Sequence, residues 1–438
     1  MFDSTQLYEK LTQLAPGSRR FCVALSGGLD SVVLLHALQS LSLFTVRAIH
    51  IHHGLSKNAD HWEKQCRHIC SNWDIPLVVE KIKLEMAGDS VEAAARSARY
   101  AAIKKELMSE EILLTAHTKN DQAETLLLQL LRGAGPKGMA AMPEKSKLGE
   151  NQFLRPLLEI TRAELESYAN EHQLSWVEDE SNDDLRFDRN FMRQQVLPLL
   201  QKRWPQSVTT LHRAALHCAE ASTILEMVAE KDFLDCRGET SSTLKIAALL
   251  QLDTARQKNV IRYWLQQLQL PLPRKQQLQI IMQELILSRR DAKPLIKWQG
   301  VEIRRYDQYI YVMTLPNHDA ELVLEWDFTQ PLLLPNQLGT LTAQWQLGQG
   351  ISLADTVKHL QIRFRKGGER LHPQGRLGSH PLKKLFQEWN IPPWLRDRVP
   401  LLYDQDDLLA VVNYTISAKR VASKNEMGLV IAWSPGIT

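Results

Sequence analysis

The stretch Ser26-Gly27-Gly28-Leu29-Asp30-Ser31 constrains this chain more than any other. It follows the apolar run 21–25 and opens a second one, 32–38, so the order is strand, glycine turn, helix. That order puts backbone N–H groups and the positive end of a helix dipole where a phosphate can sit. Two glycines let the backbone approach the anion without Cβ interference. Ser26 and Ser31 add hydroxyl donors, and Asp30 is a carboxylate able to hold Mg²⁺ beside phosphates. There is no Walker lysine and no G-x-G-x-x-G, so neither a P-loop NTPase nor a dinucleotide fingerprint fits. The alternative is an ordinary glycine turn capped by Asp30 or Ser31.

Four apolar runs, 21–25, 45–51, 75–79 and 112–116, alternate with helical patterns, and the N-terminal 15 residues form one such pattern. Apolar strands alternating with helices predict a doubly wound parallel sheet covered on both faces. Ligands collect at the carboxyl ends of such strands. The chemically dense sequences fall there: 26–31, 50–55 and 117–125. In the second, strand alternation puts His50 and His52 on one face and His53 on the other, which favours nucleobase contacts over a metal site. A capped helix is expected from Asp89 or Ser90, carrying Arg96 and Arg99 on one face, where they either stabilise phosphoryl charge or simply face solvent. In the third, Asp121-x-x-Glu124 reads as a capping box for a helix ended by Gly133. The glycine-rich basic loop 132–138, with Arg132 and Lys137, is expected to be flexible enough to close over a ligand. A later helix, reached through Arg189 and Arg193, is expected to stop at Pro198.

A chain of 438 residues has room for two or three domains. The break near Pro205 and Ser207 divides residues 1–205, an α/β catalytic domain, from a mostly helical domain at 206–315. Residues 316–438 return to short strands and form a small α+β domain. Between Arg363 and Arg398 stand nine basic and three acidic residues, a net +6 against +3 for the whole chain. Such a patch, with Arg363, Arg365, Lys366 and Arg370 at its start and Trp389 and Trp394 within it, suits a polyanion larger than a nucleotide. No apolar run approaches a membrane span, and 1–20 lacks a signal-peptide core, so the cytoplasm is expected. The five cysteines form no C-x-x-C pair and no zinc-ligand spacing.

Ser26-Gly27-Gly28-x-Asp30-Ser31 resembles the signature of the PP-loop ATP pyrophosphatase superfamily. Further stretches resemble, within it, the tRNA(Ile)-lysidine synthase family: His52-His53-Gly54-Leu55, Glu92-Ala93-Ala94-Ala95-Arg96-x-Ala98-Arg99-Tyr100, Asp121-Gln122-Ala123-Glu124-Thr125, Arg132-Gly133-x-Gly135-x-x-Gly138, Arg155-Pro156-Leu157-Leu158, Ser181-Asn182, Arg189-Asn190-x-x-Arg193 and Arg365-x-Gly367-Gly368-Glu369-Arg370. The resemblance implies an adenine nucleotide alpha hydrolase-like fold. It implies a ligase that joins lysine to C2 of the wobble cytidine, position 34, of the CAU-anticodon tRNA(Ile) through an adenylated cytidine, releasing AMP and pyrophosphate. The tRNA then reads as an isoleucine rather than a methionine acceptor. By that resemblance Ser26, Gly27, Gly28, Leu29, Asp30, Ser31, His52 and Arg99 bind ATP, and Asp30 holds Mg²⁺. Asp30, His117, Asp121 and Arg96 act in catalysis, and Asp121, Glu124 and Arg193 take free lysine. Arg132, Lys137, Arg363, Arg365, Lys366 and Arg370 contact tRNA. A homodimer is left open. The family pattern has two histidines and two aspartates before the glutamine. Here His117 and Asp121 match, whereas Thr118 and Asn120 depart.

Three other readings share the loop. A tRNA thiolase needs paired cysteines, and an amide-transferring synthetase leaves the basic C-terminal segment unexplained. A tRNA-binding protein without catalysis conflicts with the intact loop.

Overall fold

The computed structural model describes residues 2–52, 54, 58–82, 91–178, 180–287, 294–314, 318–354 and 356–436. The chain divides into two compact units, Met1–Leu225 and Glu226–Thr438.

In the first unit the elements run α1 (Ser4–Leu14), β1 (Arg20–Ala24), α2 (Leu29–Ser40), β2 (Thr45–His52), α3 (Ala59–Asn72), β3 (Leu77–Lys81), α4 (Val91–Glu106), β4 (Ile112–Leu114) and α5 (Lys119–Leu131). They continue as α6 (Pro136–Met139), β5 (Lys145–Leu148), β6 (Asn151–Leu154), α7 (Arg162–Glu171), α8 (Asp188–Phe191), a π-helical turn (Met192–Val196) and α9 (Leu197–Arg203). The sheet order is β3-β2-β1-β4-β6-β5. Its first five strands are parallel, and β5 is an antiparallel edge strand. All four apolar runs are strands, as their patterning predicts. The β5–β6 hairpin is not foreshadowed, because 145–148 is a polar edge strand with no buried residue. Chain direction reverses beside β1: the sheet grows through β2 and β3 on one side, then through β4 on the other. The segments leaving β1 and β4 therefore diverge and leave a crevice between them. The helix α2 has no polar face, being buried at Leu29, Val32, Val33, Leu34, Leu35, Ala37 and Leu38. It anchors the loop that precedes it in the core of the unit.

Pro198 does not stop its helix. The π-turn shifts the backbone pairing one residue before it, so the missing proline N–H falls at the start of α9, and the helix runs on to Arg203. Helix α10 spans Ser207–Cys236 and crosses from one unit into the other.

In the second unit β7 (Thr243–Lys245), α11 (Ile246–Leu249), α12 (Thr254–Gln267) and α13 (Lys275–Ile280) precede β8 (Leu295–Trp298), β9 (Val301–Tyr306) and β10 (Tyr309–Met313). These pack around Trp264, Ile261 and Leu285. Next come β11 (Leu324–Trp326), β12 (Leu332–Leu334), β13 (Gly339–Leu347), β14 (Leu360–Arg363), β15 (Arg370–Leu371) and β16 (His380–Pro381). The chain closes with α14 (Leu382–Glu388), α15 (Pro393–Arg396), β17 (Leu401–Asp404), β18 (Asp407–Val411), β19 (Thr415–Ile416) and β20 (Met427–Ser434). The sheet β11-β14-β17-β18-β19 carries Arg363 on its second strand.

Candidate active site

The loop after β1 is organised by its own hydroxyls. The Ser26 amide donates to Ser31 Oγ at 3.2 Å, the two serine Oγ atoms lie 3.0 Å apart, and Ser31 Oγ donates to the Gly28 carbonyl at 2.9 Å. Gly27 sits at φ +86°, and a Cβ there would lie 2.9 Å from Val177 Cγ2 and 3.1 Å from Cys66 Sγ. Glycine is therefore required twice over, by conformation and by space. The Val177 amide donates to the Gly27 carbonyl at 2.9 Å, pinning the loop from 150 residues away in sequence. Gly28 caps α2, and the first helical hydrogen bond runs from Val32 N–H to its carbonyl, leaving the amides of Leu29, Asp30 and Ser31 at an anion-binding helix start.

Asp30 is the anomaly. Among the described residues its Oδ1 is buried with no hydrogen-bond partner, and its Oδ2 faces the Arg162 guanidinium at 3.8 Å. Burial, then the nearby Asp121 carboxylate, push its carboxyl up to about 6, with Arg162 and Arg193 opposing. This is an acid short of a cation.

Across the crevice, α5 begins after β4. The predicted capping box is displaced by one turn: Thr118 is the N-cap and Asp121 the third helical residue. Thr118 has the extended backbone that a cap requires, and its N–H and Oγ1 both donate to Asp121 Oδ2, at 2.8 and 3.0 Å. Glu124 is thereby released from capping. Fully buried, it meets Arg193 Nε at 2.7 Å and Arg189 Nε at 2.9 Å. The same two arginines reach Asp121 Oδ1, from Arg189 Nη2 at 2.9 Å and Arg193 Nη2 at 3.1 Å. Two carboxylates and two guanidiniums thus form a closed, neutral tetrad. Burial alone would raise the Asp121 carboxyl, but Arg189 and its other partners more than offset this and hold it below its ordinary value. Arg189 joins Arg193 here, although the family resemblance gives a lysine-binding role to Arg193 alone. The signal was there, since arginines at i and i+4 share a helix face. Asn120, the other departure from the family pattern, has a local role: its Oδ1 accepts the Arg162 amide at 3.0 Å.

His117 stands between β4 and this helix, its Nδ1 2.8 Å from Thr115 Oγ1. Burial, then Arg155, Arg189 and Arg96, outweigh Asp121 and lower it to about 4, so the ring is neutral at physiological pH. Arg96 leans over the Tyr100 ring at 5.2 Å, and Arg99 is exposed on the same helix. His52 ends β2 with its Nε2 3.1 Å from Asp60 Oδ1. Glu63 lies close by, but the Lys81 ammonium is already 3.3 Å from it. His53, Leu55, Asp89 and Ser90 lie outside the described residues. The segment 132–138 is less loop than expected. Gly133 ends α5 at φ +72°, and α6 begins at Pro136, while Arg132 lies 4.0 Å from Asp188 and Lys137 is exposed.

The basic segment is matched by acids both inside it and outside it. Arg365 pairs with Asp397 at 2.9 Å, Arg363 with Asp406 at 3.5 Å, Lys366 with Glu321 and Arg376 with Glu388. Arg363 also covers the Tyr403 ring at 4.6 Å. Exposed Arg370 bonds the Ser379 carbonyl, which leaves its charge uncompensated, and Lys383 and Lys384 are exposed. Trp389 stacks on Tyr414, and Trp394 meets Tyr306 and Tyr311 edge-on.

Against this geometry the comparisons are decisive. A PP-loop domain model matches residues 3–200, a TilS substrate binding domain model 244–311, and a TilS substrate C-terminal domain model 360–433. The tRNA(Ile)-lysidine synthase of Coxiella burnetii is 45% identical over 99% of this chain and 97% of its own length. The chain belongs to the tRNA(Ile)-lysidine synthase family. The corresponding enzymes of Shigella flexneri and Serratia proteamaculans are each 42% identical, over 95% of this chain and 96% and 95% of their own lengths. Among the described residues no helix is long and apolar enough to cross a membrane. Burial pushes the thiols of Cys22, Cys66, Cys70 and Cys236 up to between about 11 and about 12.

Proposed function

We propose that this chain uses ATP to ligate lysine to C2 of the wobble cytidine of the CAU-anticodon tRNA(Ile), forming lysidine. The observation that carries this reading is end-to-end similarity to lysidine synthases with the glycine loop and carboxylate tetrad intact.

In this reading the loop amides and the Ser26 and Ser31 hydroxyls hold the leaving pyrophosphate at the start of α2. The orphaned, buried Oδ1 of Asp30 fits Mg²⁺, whose bound charge would offset that of the phosphates. The cytidine 2-oxo group attacks the α-phosphate, and Arg96 or Arg99 stabilises the charge of the adenylate. Neutral His117 acts as a hydrogen-bonding group rather than a proton acceptor, because a ring lowered to about 4 is a weak base. The lysine amine then attacks C2 and AMP departs. Asp121 and Glu124 take the lysine ammonium groups, with Arg189 and Arg193 holding both carboxylates in place. Asp121, held below its ordinary value, is a poor general base, and the pH profile of transfer reports whether the attacking amine loses its proton to solvent or to a carboxylate. Residues 1–205 carry this chemistry, 206–315 position the tRNA, and 316–438 bind it through Arg370, Lys383 and Lys384 beside the paired Arg363, Arg365 and Lys366. Arg132 and Lys137 add contacts near the site.

The test is incubation of the protein with ATP, Mg²⁺, labelled lysine and the isoleucine tRNA transcript. Label in the tRNA is expected, with AMP and pyrophosphate released in equal amounts. Pyrophosphate release without label transfer would assign a different acceptor, and no ATP turnover would reduce the chain to a tRNA-binding module.

A further inference from the structure

A loop that grips the β- and γ-phosphates of ATP ordinarily needs a cation for their charge, and residues 26–31 contain none. The only residue in the loop with a full charge is the acid, Asp30. Two guanidiniums act on Asp30, those of Arg162 and Arg193. Arg193 is committed to Glu124 and Asp121. Arg162 is not committed. Its contact with Asp30 is long, at 3.8 Å, its other partner is Glu166 one helical turn on, and its side chain is 41% exposed.

Its backbone, in contrast, is held firmly. Arg162 is the first residue of α7, behind a capping box made by Thr161 and Glu164, and its amide donates to Asn120 Oδ1. Helix α7 packs against α2, and each follows a parallel strand of the same sheet, β6 and β1. Both helices therefore begin at the same edge, and the Arg162 guanidinium reaches the mouth of the loop. The family-pattern departure at position 120 helps anchor it: an asparagine oxygen accepts the amide without adding a further carboxylate near Asp30 and Asp121.

We propose that Arg162 is a substrate-contacting residue that binds the β,γ-diphosphate of ATP, and then the released pyrophosphate, supplying the cation that the glycine loop lacks. In the free protein it partly compensates Asp30, and nucleotide draws it away. The proposal rests on reading the loop as the ATP site.

The experiment is calorimetric titration of the full chain, with Mg²⁺, using ATP, inorganic pyrophosphate and AMP. Arg162→Ala is expected to weaken pyrophosphate and ATP at least tenfold and AMP less than twofold, since AMP has no β- or γ-phosphate. Arg162→Lys is expected to return pyrophosphate binding to within threefold of the unaltered protein, and Asn120→Ala to fall between. Unchanged pyrophosphate binding in Arg162→Ala overturns the proposal. So does equal loss of AMP and ATP, or failure of lysine to rescue, because either makes Arg162 a structural residue. If the unaltered protein binds neither ATP nor pyrophosphate, the loop reading falls and this one with it.

Discussion

The crevice between β1 and β4 and the segment 363–398 use the same residue types to opposite ends. In the crevice, charges are buried and nearly all closed in pairs: Arg189 and Arg193 satisfy Asp121 and Glu124, while among the described residues there Asp30 keeps an oxygen without a hydrogen-bond partner. In the basic segment most of the charges are exposed or half-buried, and several of the arginines and lysines meet an acid, some from outside the segment, such as Glu321 and Asp406. A buried group without a partner is costly and so points to a ligand. A surface pair contributes little to stability, and what reaches a polyanion is the uncompensated remainder.

The sharpest way to break this contrast is at Asp30, whose Oδ1 is buried and unsatisfied. Asp30→Asn is expected to abolish pyrophosphate release, by at least about a thousandfold, while tRNA binding persists. The same change should stabilise the free protein. A carboxyl raised to about 6 loses folded-state stability as pH climbs from its ordinary 3.8 through 6, to at most about 3 kcal/mol. Thermal unfolding at pH 5 and pH 8 checks this: the gain should appear at pH 8 and shrink at pH 5. Retained turnover would remove the metal role from Asp30.

Breaking the tetrad comes next. Arg189→Ala leaves buried Glu124 short of a partner, with a cost of about 3 kcal/mol and a rise in the lysine KM of tenfold or more. The ATP KM should change little. An equal rise in both would mean that the tetrad supports the whole site rather than the lysine end.

Gly27→Ala tests the loop geometry. Positive φ and a 2.9 Å approach to Val177 predict a loss of about 2 kcal/mol and at least tenfold weaker ATP binding. The pH profile provides a smaller test. With Asp121 held low and His117 near 4, lysine transfer should rise steadily from pH 6 to pH 9 as free amine accumulates. A plateau near neutrality would indicate an internal base.

The smallest effects belong to the basic segment. Arg370→Gln and Lys383→Gln should each lower the salt slope of tRNA binding by roughly 0.7 to 0.9. Arg365→Gln should lower it less, because Asp397 already meets that guanidinium. Equal slopes would show that the pairs open on RNA.

The parallel sheet, the glycine turn at a helix start and the helix stop at Gly133 were legible because apolar periodicity and glycine placement are local properties. The cap at Thr118 was misread because Thr118 and Asp121 compete for one role, and backbone conformation at a single residue decides between them. The β5–β6 hairpin left no signal, since an edge strand need not bury a face.

By itself, then, the sequence determined what kind of edge this sheet would present: glycines, hydroxyls and one acid at a helix start, with the family's motifs in order behind them. The tertiary structure alone decided which charges are spent on each other. Val177 on Gly27, Arg189 on Glu124, Arg162 near Asp30 and Glu321 on Lys366 are partners far apart in the chain, joined only when helices and strands pack. Electrostatic compensation depends on distance in space and on burial, and neither is a property of a residue's neighbours in sequence.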